Sequence, residues 1–521
     1  MSITLMVFSG LGAALVLWML VDVIQNKHAI IRNFPVVGHF RYWLESIGPE
    51  LRQYIVTGND EERPFSRDQR RWVYTSSKNR NNLFGFGTDN DLELESNYLI
   101  INHSNFPVKE PVKGDELYDP TYSLPSAKVI GAARGRKHAF RPNSVINISA
   151  MSFGSLSKNA VMALNMGAAR CGCMHNTGEG AISPYHQKGG DLIWQIGTAY
   201  FGCRDENGKF SLERLVEKVQ ENPVKALEIK ISQGAKPSKG GILPKEKITP
   251  EIARIRDIPM DRDCVSPSAH TEFHDVDSML DFVERLADAT GLPVGIKSAV
   301  GQMNFWEDLA LQMNKTKRGV DFITVDGGEG GTGAAPLAFS DHVSLPFKVG
   351  MSQVYRHFSE AGLSEKIVFI GSARLGFPES SMLAFSLGCD MVNVAREAMM
   401  AIGCIQAQRC HVGHCPAGVA TQNRWLMRGL NPHLKADRLA NYVTTLRKEI
   451  LQLSRACGVV HPALIGAPHL VMLDGHFGVK TVKEVFGYKD QWGYPSKQDQ
   501  EAIIRIMNTP QAAAGLKAAA D

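Results

Sequence analysis

The sequence predicts an α/β chain built on a (β/α)8 TIM barrel, with an N-terminal transmembrane helix and helical extensions at its N- and C-terminal ends. Three observations predict it. From residue 145 to residue 394 the chain alternates short apolar runs with stretches of helical spacing, and the runs number eight. Polar and glycine-rich residues collect after those runs. Near the start, Ile3 to Val21 contains no charged side chain. Alternating strand and helix argues for a parallel sheet. Eight units over about 250 residues match a closed barrel better than an open sheet.

The amino end comes first in the chain. The uncharged run is rich in Leu, Val, Met and Ala, and about 20 such residues in helical form span a hydrocarbon core. No Lys or Arg precedes it and no small-x-small site follows it, which favours an anchor over a cleaved signal peptide. Lys27, His28, Arg32 and Arg41 lie on its carboxyl side. Residues 3–21 are therefore expected to cross the cell membrane once, with the catalytic body on the cytoplasmic side. Residues 1–24 read as the anchor, 25–120 as a connector and N-terminal subdomain, 121–430 as the barrel, and 431–521 as a C-terminal helical extension. Tyr42 to Tyr54 has helical periodicity, residues 59–64 read as a turn, and the Ala-rich tail after Pro510 reads as a frayed end.

Composition narrows the class. Of 521 residues, 44% are hydrophobic and 21% charged, so the chain can bury a sizeable core. A formal charge of +4 is too small for this length to argue for nucleic acid. The nine cysteines are unevenly spread and form no disulfide framework, as expected in a reducing compartment.

The apolar runs are Val145–Ala150, a run near Cys173, Ile193–Tyr200, Leu227–Ile231, Val294–Ile296, Phe322–Val325, Ile367–Ile370 and Met391–Val394. Ser157–Arg170, Asp275–Ala289 and Glu379–Leu387 have helical spacing. A short stretch at Cys264–Val265 is surplus and is assigned to an insertion. In such barrels the chemistry sits at the carboxyl ends of the strands. The residues there are Asn176-Thr-Gly-Glu-Gly180, Gln233-Gly-Ala-Lys236, Lys297, Asp326-Gly-Gly-Glu-Gly-Gly-Thr-Gly333, Gly371-Ser372 and Ala395-Arg396. Glycines after strands let backbone N–H groups approach a phosphate. Barrels hold phosphate by the loops after strands 7 and 8, here Gly371-Ser372 and Ala395-Arg396. Lys297 ends an apolar strand, where its charge can stabilise a negative charge in the barrel mouth. Gln233 and Lys236 lie in a loop after strand 4 that is long enough to be a lid.

One further stretch carries redox chemistry, Cys404-Ile-Gln-Ala-Gln-Arg-Cys410-His-Val-Gly-His-Cys415-Pro416. Thiolates this close in sequence can reach one soft metal centre. Four would suit a cubane or a structural zinc. Three followed by Pro suit a 3Fe-4S cluster. A zinc loop completed by His411 or His414, and plain buried cysteines, remain open on spacing alone.

Together, Ile148-Ser-Ala-Met-Ser-Phe-Gly-Ser155, Asn176-Thr-Gly-Glu-Gly180, Glu228-Ile-Lys-Ile-Ser-Gln-Gly-Ala-Lys-Pro237, Gly327-Gly-Glu-Gly-Gly-Thr-Gly333 and the stretch from Cys404 to Gln422 resemble the FMN-binding domain of glutamate synthase. They occur in that family's order, and the resemblance covers roughly residues 130 to 470. It implies a barrel holding FMN, a 3Fe-4S cluster beside it, and reduction of an imine made from 2-oxoglutarate and ammonia. By matching motif, Met151 and Ser152 would lie along the flavin and Asn176 on the same strand-end face. Lys297 would face the flavin pyrimidine edge and the substrate carboxylate. Gly328, Gly330 and Gly331 would bring amides to the phosphate side, and Cys404, Cys410 and Cys415 would hold the cluster. Glu179, Glu228, Lys230 and Gln233 would line the site, with Lys297, Glu179 and Glu228 the candidate catalytic groups.

The chain also departs from the family. An apolar helix stands where a glutaminase domain is expected, and no C-terminal β-helix follows. Ser266-Pro-Ser-Ala-His270 replaces a Ser-Pro-Pro-Pro-His-His run, and Gly371-Ser-Ala-Arg374 replaces an acidic strand end. The expected activity is a glutamate synthase-like flavin oxidoreductase acting on a small 2-oxo acid or amino acid. Its electrons would be exchanged with a partner protein or a membrane carrier. Two other readings stand beside it: an FMN barrel dehydrogenase of another amino or hydroxy acid, and a non-enzymatic cluster-bearing membrane protein.

Overall fold

A computed structural model describes residues 3–54, 62–92, 95–476 and 478–510. Much of the expected turn at 59–64 and the tail after Pro510 lie outside the described residues. The eight apolar runs form eight parallel strands: β1 Ile146–Ile148, β2 His175–Asn176, β3 Leu192–Ile196, β4 Val224–Lys230, β5 Val294–Ala299, β6 Phe322–Asp326, β7 Val368–Ser372 and β8 Met391–Val394. They close into a barrel in chain order, β8 pairing with β1 through Val392–Ile146, Asn393–Asn147 and Val394–Ile148. Every residue of β3, β6, β7 and β8 is buried. A parallel sheet covered on both faces needs continuous apolar runs, which is how these read in sequence.

The crossover helices start where the chemistry of their caps places them. Ser157 accepts a bond from Ala160 N to open the helix Lys158–Cys171, and Asp275 forms a reciprocal capping box with Ser278 to open Val276–Thr290. Thr249 followed by Pro250 opens a short helix, Pro250–Arg256, inside the excursion after β4. The surplus stretch Cys264–Val265 pairs antiparallel with Ile242–Leu243 in that same excursion, outside the barrel.

Residues on both sides of the barrel share its core. Phe65, Trp72 and Val73 from the N-terminal part belong to one buried cluster with the barrel. So do Leu439, Tyr442 and Leu446 of the long helix Pro432–Ala456. That helix packs along Lys158–Cys171. The extensions are more than helical: Ser96–Ile101, Leu470–Asp474 and Val479–Thr481 form a three-stranded antiparallel sheet that joins the two ends. The first helix, Ile3–Ile24, is long and apolar enough to cross a membrane, and 6% of its apolar window is buried.

Candidate active site

Strand register sets the floor of the site. Gln195 of β3 pairs with Glu228 of β4, Lys230 with Lys297 of β5, Lys297 with Thr324 of β6, and Asp326 with Ser372 of β7. Glu228 is fully buried and accepts from Asn176 Nδ2, Gln195 Nε2 and Thr324 Oγ1, each at 2.7 Å. Three neutral donors thus satisfy a carboxylate that no water reaches. One layer higher, the two lysines stand on neighbouring strands and each faces an acid. Lys230 Nζ lies 2.6 Å from Glu179 Oε1, and Lys297 Nζ lies 3.5 Å from Asp326 Oδ1. Asp326 also accepts from Gly234 N at 2.8 Å, tying the loop after β4 to the end of β6. Burial pushes the Glu179 carboxyl up, but Lys230, Lys236 and Arg256 outweigh it and hold it below the usual range.

Above this floor is a cavity of about 600 Å³, within the range of about 300–1,000 Å³ typical of small-molecule and cofactor sites. Seven basic side chains border it (Lys230, Lys236, Arg256, Lys297, Arg374, Arg396 and Arg409) against Glu179, Asp326 and Glu397. That excess favours an anionic occupant. Toward β7 and β8 the wall is made of Gly330, Gly331, Thr332, Gly333, Ser372, Arg374, Asn393 and Arg396. Arg374 and Arg396 both stand over the Phe65 ring, 5.2 and 5.0 Å from its centroid. Arg374 has φ +47°, a region few non-glycine residues occupy and one that concentrates at functional sites.

Toward β4 the excursion supplies Lys236 and Arg256. Lys236 Nζ donates to Ala334 O at 3.2 Å, and burial lowers its pKa to about 8. Arg256 Nη2 donates to Ser152 Oγ at 3.1 Å and to Phe153 O at 2.8 Å. Gly178, at φ +67°, lets the loop after β2 pass so close to the loop after β1 that a Cβ would stand 2.7 Å from Ser152 N.

The third wall is the thiol loop. Cys404, Cys410 and Cys415 all border the cavity, as does His411, whereas His414 does not. Gln406 and Gln408 take φ values of +57° and +54°, so the loop turns twice between the first two thiols. Tyr74 Oη donates to Cys404 O at 2.9 Å, and Gln406 Oε1 accepts from Phe65 N at 3.3 Å. Lys247 is buried and donates to Ser155 O at 2.9 Å and to Cys410 O at 3.3 Å. Burial pushes the Cys404 thiol up to about 12, and burial beside Cys415 raises Cys410. Among the described residues no three His, Cys, Asp or Glu side chains are grouped as ligands of one metal ion.

Met151, Ser152, Glu179, Lys230, Gln233, Lys297, Gly330, Gly331, Ser372, Ala395, Arg396 and the three thiols thus meet at one cavity. Four predicted residues do not border it. Asn176 and Glu228 bond to each other below the floor. Gly328 N donates to Leu345 O at 2.9 Å, so that amide is already engaged. Gly371 is packed so tightly that a Cβ would stand 2.7 Å from Leu375 and 2.8 Å from Phe347. Sequence reasoning missed Phe65, Lys247 and Arg256, and it marked Arg374 only as a departure from the family's strand end. The cap Thr249-Pro250 could have flagged a helix ending at Arg256. Nothing local marks Phe65, which comes from far outside the barrel.

The region from residue 126 to 460 matches the family described as a conserved region in glutamate synthase. The glutamate synthase large subunit-like protein YerD of Bacillus subtilis is 38% identical over 477 residues, covering 86% of this chain and 90% of that one. The archaeal glutamate synthase (NADPH) of Methanocaldococcus jannaschii is 35% identical over 320 residues, covering 60% of this chain and 59% of that one. The flavin-binding domain of baker's yeast flavocytochrome b2 superposes at a TM-score of 0.42 and 14% identity, over 77% of this chain and 82% of that one, too distant to bear on function. With a family match over most of its length and a relative similar nearly end to end, the chain belongs to the glutamate synthase family and is an oxidoreductase of that type.

Proposed function

We propose that the cavity holds FMN with a 3Fe-4S cluster beside it, and that the enzyme interconverts a small 2-oxo acid, through its imine with ammonia, and the matching amino acid. The observation that carries this reading is one cavity with three chemically different walls: cationic and glycine-rich, lysine- and carboxylate-bearing, and thiol-bearing. The wall at β7 and β8 fits a flavin phosphate. Nothing lies within 4 Å of where a Cβ on Gly333 would stand, and Arg374 and Arg396 are partly buried cations that would bond a phosphate. The thiol wall fits a cluster better than one zinc. Three thiols close in sequence border one cavity, with His414 outside its lining, which is the donor set a cluster held by three thiolates would use. A bound metal also favours the thiolate form that burial disfavours here.

When bound, FMN would supply hydride transfer and the cluster one-electron transfer. The protein's own groups do the rest. Lys297 stands at the end of β5, where its charge would stabilise negative charge on a bound flavin ring. Lys230, Lys236 and Arg256 give carboxylates of the substrate a cationic wall. Burial lowers the Lys236 pKa to about 8, which suits it to moving a proton in the cavity. Glu179 stays ionised and orients Lys230. Ile3–Ile24 would anchor this body to the cell membrane, supported by its length, its apolar side chains and the basic residues that follow. Electrons would pass between the cluster and a partner protein or a membrane carrier.

The test is to measure flavin, iron and acid-labile sulfide on purified protein and follow flavin absorbance against a panel of 2-oxo and amino acids. About three irons per chain are expected, with Cys410→Ser losing the iron and sulfide but keeping much of the flavin. Iron-free protein with one zinc per chain defeats the cluster assignment.

A further inference from the structure

The segment after the apolar helix is not a loose tether. Asp22, near the end of that helix, is 3% exposed; it accepts from Val36 N at 2.7 Å and lies 2.8 Å from His39 Nε2. Asn33 is 2% exposed and donates from Nδ2 to Pro416 O at 3.2 Å and to Leu426 O at 2.8 Å, while its own carbonyl accepts from Trp425 Nε1 at 2.9 Å. Arg428 donates to Arg32 O at 3.1 Å and Arg438 to Lys27 O at 3.0 Å. The seam is tight: a Cβ on Gly429 would stand 2.6 Å from Ala29 O. Pro416 directly follows Cys415. Asn33 lies nine steps along the chain from Ile24, with eight residues between them, a reach of at most about 32 Å fully extended, and Ala29–Asn33 is helical and shorter still. The thiol loop is therefore held close to the end of the apolar helix.

The surface beside this seam is apolar and basic. Val37, Phe40 and Leu44 repeat at helical spacing on the helix Val37–Tyr54 and are exposed, Val37 at 74%. Trp43 stacks on Phe40 with ring centroids 5.7 Å apart. Phe34, next to Asn33, and Trp425 across the seam are also exposed, as is Val412 between the second and third thiols. Lys27 is exposed and Arg32 half-buried in the same segment, and the half-buried Arg428 meets them across the seam. Aromatic residues with basic neighbours, continuous with an exposed apolar helix, match the chemistry of an anionic bilayer surface.

We propose that the lipid bilayer lies against this face, so that the thiol loop is turned toward the membrane surface rather than bulk solvent. The proposal rests on the reading of Ile3–Ile24 as an anchor. It commits to lipid as the occupant, and a water-soluble protein seated on residues 409–414 is the competing outcome.

Full-length protein is reconstituted into vesicles of phosphatidylethanolamine and phosphatidylglycerol containing a trace of benzophenone-headgroup phospholipid, irradiated, and its adducts mapped by peptide mass spectrometry. Adducts on 34–44 and on 409–425, besides those on the first 24 residues, are expected. Val412→Glu, an exposed change, is expected to lower adducts on 409–425 several-fold while leaving those on the anchor constant. Adducts confined to residues 1–24, or an unchanged pattern in the variant, overturn the inference while leaving the anchor standing. Protein that washes from the vesicles without adducts overturns both. Footprint protection of 409–414 by a soluble protein also overturns it.

Discussion

The cations on the two sides of the cavity are held differently. On the β4 side each has a polar partner: Lys230 has Glu179, Lys236 has Ala334 O, and Arg256 has Ser152 and Phe153 O. Of these only Lys230 is bonded to a carboxylate; on the β7–β8 side neither arginine is. Arg396 donates only to Glu329 O, and among the described residues Arg374 has no hydrogen-bond or ion-pair partner. Both instead stand over Phe65. Both are partly buried, and Glu397 and Glu329 act on them without a direct bond, so a resident dianion such as a phosphate would bond guanidinium groups that the protein leaves free of carboxylate bonds. Lys230, already paired with Glu179, suits a substrate that comes and goes, because its charge is satisfied between turnovers.

The largest test of that contrast is the pair Arg374→Met and Arg396→Met. Two charge-assisted bonds at about 1.5–3 kcal/mol each amount to a flavin affinity weaker by about 10²–10⁴-fold. It is read by equilibrium dialysis of FMN, and unchanged affinity would move the phosphate elsewhere. Lys230→Met should do the reverse, raising KM for the 2-oxo acid about 10- to 100-fold with flavin content unchanged. Lys230→Arg should restore most of it, because an unpaired Glu179 could otherwise explain the loss. Equal effects of the two sides on flavin would dissolve the distinction.

A smaller effect is expected at the floor between them. Lys297→Met keeps length and removes charge, so the flavin reduction potential should fall by tens of millivolts, where 30 mV is about 1.4 kcal/mol for a two-electron couple. An unchanged potential with unchanged turnover would mean that Lys297 is not at the flavin. The smallest effect is one of pH. Burial depresses the Lys236 pKa to about 8, so its protonated form persists below that value and is lost as pH rises through it. If it donates a proton, turnover should fall severalfold above pH about 8, and Lys236→Gln should flatten that limb at a lower rate.

These contrasts were only partly legible beforehand. The eight strands could be read because strands buried on both faces must be continuously apolar, and the strand-end residues Lys230, Lys297 and Ser372 followed from where each run stops. The terminal sheet was missed: Ser96–Ile101 pairs with Leu470–Asp474 across more than 360 residues, a pairing with no local signature. Arg256 and Lys247 sit in an excursion whose path no periodicity describes.

By itself, then, the sequence determined the barrel, its order and the strand-end positions that can face a ligand, because these depend on local periodicity and caps. It also determined the three thiols as a group, because proximity in sequence is proximity in space. Tertiary structure alone decided which of the strand-end groups reach the cavity. Asn176 and Glu228 turned out to satisfy each other below it, and Gly328 and Gly371 are consumed by packing, because hydrogen-bond closure and side-chain volume are settled between strands and not along one. It alone brought Phe65 beneath two arginines and clamped Asn33 onto the residue after Cys415. Those contacts join segments hundreds of residues apart, where only the closed core fixes the distance.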